Sequence, residues 1–234
     1  MSKATTIKFK GSQVFFQQKI ASPTEIPITD VTATNPGTVT ASGAATQKGD
    51  IITIDGLEGF NGSYVVSSVD SSGIITLAGA DWSGLNDPTD LSDAVATSVQ
   101  FMNNFCQLKS FQKSGSTVAQ EDVTTICDVD GTNYEPGDRE EGTITLQFWY
   151  DMTNAVQEQL EDYEFSQEKF WTKVVLPNNK GAVLFYGAIE TGLNMDGATG
   201  SPGRWDSGCA IRVSGRRYMM KTTISYPDTN VFLS

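Results

Sequence analysis

Between Thr143 and Tyr150 the chain reads Thr-Ile-Thr-Leu-Gln-Phe-Trp-Tyr. Ile144, Leu146, Phe148 and Tyr150 alternate with Thr143, Thr145 and Gln147, the period of two that places one side of a strand in a core and the other outside it. A slip of one residue would exchange the two faces, so the register is firmly specified. A helical pattern follows at once over Thr153–Tyr163. Asp151 or Thr153 offers an N-cap. Val156, Leu160 and Tyr163 recur at helical spacing, opposite Gln157, Glu158, Glu161 and Asp162.

The flanking segments also read as strands. Ile7 to Lys19 is a first extended piece centred on Val14-Phe15-Phe16. Phe105–Phe111 alternates, with Cys106 and Leu108 on one face and Gln107 and Lys109 on the other. Phe170–Leu176 is stopped by Pro177-Asn178-Asn179-Lys180-Gly181, and Val183–Ile189 returns as its hairpin partner. A Gly-rich loop, Asn194 to Ser207, leads to the strand Cys209–Val213, and Met219 to Tyr226 is a further extended piece. With 22 Gly and only 8 Pro, the composition favours strands and tight turns over helical bundles. The expected fold is mainly β: a sandwich or barrel with one flanking α-helix.

One segment has a different texture. From about Ile28 to Ser98 there are nine carboxylates, and Lys48 is the only basic residue. Ile51-Ile52-Thr53-Ile54, Tyr64-Val65-Val66 and Ile74-Ile75-Thr76-Leu77 are short apolar runs between turn formers, and Thr38-Val39-Thr40 is a candidate fourth. Asn61-Gly62 is a strong tight-turn signal. Short strands at this spacing point to a small all-β barrel or sandwich module inserted over 22–98, with Asp81–Ala96 as its linker back. The division is then 1–21 with 99–234 as one discontinuous domain. The ends of the insert, near Ala21 and Gln100, are expected to lie close together and the module to fold as a separate unit.

The chemistry is sparse. There is no histidine, so the commonest general base and metal ligand is missing. No GxGxxG, Walker or nucleophile-elbow pattern occurs. Glu140-Glu141 and Asp128 with Asp130 could be drawn as an acid/base pair, but they decorate a charged loop. The Asp128–Asn133 run fails the ligand spacing of a calcium loop. No catalytic residue, metal site or cofactor is expected, and a metal-independent hydrolase finds no base–nucleophile set. The net charge of −12 argues against gripping nucleic acid. Cys106, Cys127 and Cys209 are widely spaced and odd in number, which suits reduced, buried thiols. No apolar run approaches membrane-spanning length, and no apolar stretch follows the lysines of Met1–Lys10, so neither a membrane span nor a signal peptide is expected.

The order of Phe105–Phe111, acidic segment Val118–Glu141, strand Thr143–Tyr150, helix Thr153–Tyr163, then strands Phe170–Leu176, Val183–Leu193 and Cys209–Val213 resembles the tail tube protein of long-tailed (siphophage) bacteriophages. That fold is shared with contractile-tail and type VI secretion tube proteins. The likeness is strongest over Glu141–Tyr150 and the helix after it, next across Leu176–Gly181 and over Gly187–Gly192. It covers about Lys8–Lys19 and Val99–Tyr226; the simplest relatives lack the 28–98 segment. The resemblance implies a structural virion protein, not an enzyme. It implies hexameric rings whose inner sheets join into one barrel, stacked as a hollow tail tube around a tape-measure protein. Tail terminator and distal tail proteins are implied partners, and DNA passes the lumen without specific binding. Synthesis and assembly in the bacterial host cytoplasm are implied too.

On that reading the acidic segment, with eight carboxylates and one arginine between Glu121 and Glu141, is expected to be mobile in the free subunit and ordered by an adjacent ring. Glu121, Asp122, Asp128, Asp130, Glu135, Asp138, Arg139, Glu140 and Glu141 are candidate interface residues. Arg212, Arg216 and Arg217 are expected to bridge to the acidic loop of a neighbouring copy. Thr143, Thr145 and Gln147 are candidate lumen residues, and the inserted module belongs on the tube exterior. The rival reading is a carbohydrate- or cell-surface-binding β module of a virion, with Trp82, Tyr64 and Phe60 as its binding aromatics.

Overall fold

The computed structural model describes residues 9–41, 47–124, 132–177, 180–197, 199 and 203–220. Strands are numbered in chain order. The body is a seven-stranded antiparallel sheet built from β1 (Gln13–Phe16), β8 (Leu108–Lys113), β11 (Thr143–Trp149), β12 (Phe170–Val175), β13 (Ala182–Gly197), β14 (Trp205–Val213) and β15 (Tyr218–Met220). The order across it is β1-β12-β13-β14-β11-β8, with β15 also on β13. β13 serves both halves. Its Ala182–Gly187 stretch pairs with β12, while the rest, from Gly187 to Gly197, pairs with β14. Phe111 on β8 and Phe185 on β13 lie with ring centroids 6.2 Å apart, so the sheet bends over one core.

That core holds Val14, Phe16, Ile144, Leu146, Phe148, Phe170, Cys209 and Ile211, covered by the one helix among the described residues, α1 (Ala155–Ser166), through Val156, Leu160 and Tyr163. Phe148, Phe105, Phe16 and Phe170 form an edge-to-face chain that ends in Tyr163 stacked on Phe170. Ile144, Leu146 and Phe148 are inside, as their alternation requires; Tyr150 falls past the strand end and is half-buried.

Several details differ from expectation. The N-cap is neither Asp151 nor Thr153 but Asn154, whose Oδ1 accepts from the amides of Val156 and Gln157; Asp151 instead takes the Thr153 amide and hydroxyl. Gln157, expected on the polar side, is buried. Its amide donates to the Trp149 carbonyl at 2.8 Å and its Oε1 accepts from the Asp151 amide, joining the helix start to the end of β11. The strand expected from Phe105 begins at Leu108; Phe105 is core and Cys106 is exposed. Cys209 is buried, and Cys127 lies outside the described residues. Asn194–Gly197, expected in a loop, are the end of β13. Met219 and Met220 are in β15, and the rest of the expected extended piece lies outside the described residues.

The segment between β1 and β8 forms a closed six-stranded barrel: β2 (Glu25–Thr32), β3 (Thr38–Ala41), β4 (Ile51–Asp55), β5 (Gly62–Val69), β6 (Ile74–Ala78) and β7 (Val95–Ser98), in the order β2-β3-β6-β5-β4-β7. Closure removes the free edges that so small a sheet would otherwise expose. Ile28, Val39, Ile52, Ile54, Val66, Ile75 and Leu77 fill it. The chain enters and leaves side by side, the Gln18 amide donating to the Gln100 carbonyl at 2.8 Å.

Trp82, Phe60 and Tyr64 are part of this barrel's interior. Trp82 is 3% exposed, with Phe60 and Tyr64 edge-on to it at 5.0 and 5.4 Å. A Cβ on Gly37 would lie 2.1 Å from the Trp82 ring, so only glycine lets the indole close that end. Trp82 and Phe60, so packed, offer no face to a sugar, and the expectation of binding aromatics is corrected for them; Tyr64 is half-buried.

Barrel and body share apolar surface. Ile52, Ile54 and Val66 point into the barrel, but Ile51 and Val65, paired across β4 and β5, point out of it. They are buried against Trp171, Val175, Ala182, Leu184 and Met220 of the body. This explains why β12 is buried along its whole length: one face meets the helix-covered core and the other meets the barrel.

Candidate assembly surfaces

The outer face of β8, β11, β14 and the later part of β13 is uncovered. On β11 it carries Thr143, Thr145 and Gln147. The register sets Thr145 between Ala210 and Gln112, and Gln147 between Gly208 and Ser110. Ala210 in turn faces Thr191, and Gly208 faces Asn194. The Ser110 hydroxyl donates to Gln147 Oε1 at 3.2 Å. The middle of the face is therefore a strip of short, neutral side chains, concave at Gly208, where a Cβ would come within 2.6 Å of the Leu146 carbonyl oxygen. Charge is confined to the ends. At one, Arg212 donates to Glu190 and the Thr143 hydroxyl donates to the same carboxylate. At the other, Lys109 pairs with Asp206 at 2.9 Å.

The acidic segment is not the open loop expected. Thr117–Asp122 (β9) and Tyr134–Glu140 (β10) form an antiparallel ladder with a bulge between Pro136 and Arg139. All of β9 and all of β10 but Gly137 are exposed. The described part of this arm contributes no residue to any core cluster. A two-stranded hairpin with no covered face is marginal by itself in water. Glu121, Asp122, Glu135, Asp138, Arg139 and Glu140 are on its surface; Asp128 and Asp130 lie outside the described residues. Asp122 is held below the usual carboxylate range by the Thr124 hydroxyl and amide.

The arm is fixed at its root. Gly142 has φ +82° and a Cβ there would lie 2.4 Å from Ser114 Oγ, so the chain can turn from β10 into β11 only at glycine. The Thr143 amide donates to that same Ser114 Oγ, and Lys113 Nζ donates to the Glu141 carbonyl. Ser116 holds the Glu141 carboxyl below its ordinary value, aided by Arg139 at 2.7 Å. Arg212 donates to Glu140 at 2.9 Å. The three arginines thus divide. Arg212 is engaged by two carboxylates of its own chain. Arg216 and Arg217 are exposed on the turn into β15, and among the described residues no ion pair holds them. Sequence reading missed Glu190, Lys113 and Ser114; only the cross-strand register brings them to the root.

Among the described residues no group of His, Cys, Asp or Glu could hold a metal ion, and no helix is long and apolar enough to cross a membrane.

The family model described as "Phage tail tube protein, TTP" matches residues 59–202, more than half of the chain. Among solved structures, the chain is similar to a chain described as "Hybrid structure of the SPP1 tail tube by solid-state NMR and cryo EM". The identity is 17% and the TM-score 0.38, over 56% of this chain and 74% of that one. No curated protein matches.

Proposed function

The chain belongs to the phage tail tube protein family, a structural and non-enzymatic class, and we propose that copies of it close into rings that stack as the wall of a tail tube. The observation that carries this is the two-sidedness of the body sheet. One face is sealed by the helix and core, while the other is an uncovered strip of neutral, short side chains centred on Thr145 and Gln147. β8 pairs only with β11, and β1 pairs only with β12 among the named strands, so each side ends in an edge able to accept another strand. Ring closure satisfies those edges.

The neutral strip then faces the channel. Each lysine or arginine on a wall would add a salt-dependent phosphate contact and slow the passage of DNA, and the strip has none at its centre. The arm, bare and rooted at one end of the sheet, reaches an adjacent ring. The barrel lies on the outer side, since it covers β12 and β15 rather than the open face. A hexameric ring, a tape-measure protein within the tube, terminator and distal tail proteins at its ends, and assembly in the host cytoplasm follow from the family resemblance.

Negative-stain images of purified protein over a rising concentration series test the proposal. Hollow tubes with a regular axial repeat are expected. A monomer at every concentration, with no tubes after removal of salt or addition of tail-tip material, would overturn it.

A further inference from the structure

Beside the apolar contact that Ile51 and Val65 make with the body, the two units leave an open cleft of about 540 Å³. Thr53 lies two residues beyond Ile51 on β4, and Tyr186 two beyond Leu184 on β13, so the cleft continues the same two faces where their side chains turn polar. Its third side is the pair of chain segments that join the units, 17–20 and 98–100. These segments are held. The Gln18 amide donates to the Gln100 carbonyl at 2.8 Å, the Lys19 amide to Gln159 Oε1 at 3.0 Å, and the Tyr163 hydroxyl to the Gln17 carbonyl at 3.2 Å. The cleft is therefore shaped before anything enters it, which lowers the cost of binding.

We propose that this cleft binds a short, uncharged saccharide. Gln18, Gln100, Thr97, Ser98 and Tyr186 line it, and among the described residues none of these five side chains makes a hydrogen bond. The charges cancel: Lys19 pairs with Glu168 at 2.7 Å, and Lys169 and Asp55 add one of each sign. An anionic ligand therefore meets no excess of cations. An extended peptide finds no edge to extend, because β4 lies between β5 and β7 in the closed barrel and β13 is paired on both sides. What is offered is hydroxyls that donate and accept, planar carboxamides and a phenol ring, the set that answers the hydroxyls and the apolar face of a sugar. Trp171 packs on the Tyr186 ring at 4.9 Å and steadies it. Clefts of this size between two folded units are common ligand sites. The residues are distinct from Trp82 and Phe60, which are buried within the barrel. The inference concerns the subunit by itself. On the tube reading each copy presents the cleft beside its outer barrel, and many weak sites act together on a polysaccharide surface.

Two-dimensional NMR of the full-length subunit tests this with maltotriose, tri-N-acetylchitotriose and a rhamnose trisaccharide, each raised to about 20 mM. At least one is expected to shift the backbone signals of Thr97, Ser98 and Gln100 and to saturate in the millimolar range. Gln18→Ala with Gln100→Ala, both at exposed positions, should keep the folded spectrum and weaken that probe about fivefold or more. Should the pair misfold, Ser98→Ala takes its place. No shift with any of the three sugars, a shift confined to other residues, or an unchanged affinity in the variant overturns the inference. So does a response to a capped, neutral Gly/Ser peptide with none to the sugars. Tubes should in addition be retained on beads that carry the sugar the subunit binds. A wild type that forms no tubes overturns the tube reading and leaves the subunit result standing. Tubes that are not retained, although the subunit binds, would show the cleft covered by a neighbouring copy and overturn its use on the wall.

Discussion

The Arg212 guanidinium donates to the Glu140 carboxylate at 2.9 Å, which ties the last residue of β10 to β14 of the same chain. The same arginine donates to Glu190 at 3.0 Å, from the neighbouring strand β13. Both carboxylates and the guanidinium are well exposed, so the pairs add little to folding stability. What the first pair does is join the root of the arm to the body sheet.

Removal of the arm should therefore separate folding from assembly. No described residue of Thr117–Asp122 or Tyr134–Glu140 is part of a core cluster. Replacing 118–140 with a short Gly/Ser linker is expected to give a monomer that melts within a few degrees of the wild type and forms no tubes. Calorimetry and electron microscopy on one preparation provide the comparison. Normal tubes from this variant would show that the arm is dispensable.

Lys173 gives a pH dependence that can be signed. Its side chain is buried on β12, with Nζ 5.1 Å from the Phe101 ring centroid. Burial lowers its pKa from 10.5 to about 8, with Asp50 opposing. In the unfolded chain the ammonium keeps its proton until near the ordinary value. Between the two values the unfolded state binds more protons, so Lys173 makes stability rise with pH from about 8 upward. Below about 8 it is charged in both states and the cost of burying it is fully present. Cys209, raised to about 12 by burial, acts oppositely above its ordinary value of 9. The difference between wild type and Lys173→Met removes that background. Unfolding free energies from urea titrations at pH 7.5 to 9 should rise in the wild type relative to the variant, by about 1 kcal/mol over that interval. A flat difference would place the Lys173 ammonium in water.

What was legible in the sequence was whatever a local period determines. β11 is legible residue by residue because Ile144, Leu146 and Phe148 face a core that needs every second position. The barrel was legible from turn chemistry such as Asn61-Gly62 and from runs of Ile and Val. The arm was not, because Glu, Asp, Pro and Gly carry little strand signal and its ladder follows from the strands at its root. Asn194–Gly197 looked like loop for the same reason, yet Gly197 is a strand residue that leaves room for Trp205. Polarity alone puts Gln157 outside. It is inside because the Trp149 carbonyl and Asp151 amide at the sheet–helix junction need partners, which no periodicity reveals. Glu190 and Ser114 are brought to Arg212 and Thr143 only by pairing across strands distant in sequence.

The shared cluster changes what deletion of the barrel should do. Joining Ala21 to Val99 by a short linker is sterically open, since Gln18 and Gln100 are hydrogen-bonded. The deletion nonetheless uncovers Trp171, Val175, Leu184 and Met220, which Ile51 and Val65 now bury. The simple deletion of 22–98 is expected to bind a hydrophobic dye and aggregate. The same deletion with Trp171→Gln, Leu184→Thr and Met220→Lys should be soluble and form tubes of smaller outer diameter. In the full chain, Leu184→Ala should cost about 2–5 kcal/mol, as buried leucines do. A simple deletion that stays monomeric and dye-silent would mean that the barrel contributes nothing to the body's stability.

The wall assignment has the sharpest chemical test. Thr145 is exposed at the centre of the open face, flanked by Gln112 and Ala210. In the free subunit a cysteine there is reachable by any reagent. In a tube whose lumen it faces, a reagent must enter at the ends and diffuse along the channel. Thr145→Cys, in a background with Cys106→Ser and Cys127→Ser that leaves only the buried native thiol of Cys209, should react at equal rates with small and bulky maleimides as a monomer. After assembly the small reagent should still label it and a maleimide carried on a protein should not. A cysteine at Ser71, on the exposed barrel turn between β5 and β6, is the control and should react with both in either state. Labelling of Thr145→Cys in intact tubes by the bulky reagent, at the rate of the barrel control, would move this face to the outside and reverse the orientation of the subunit in the wall.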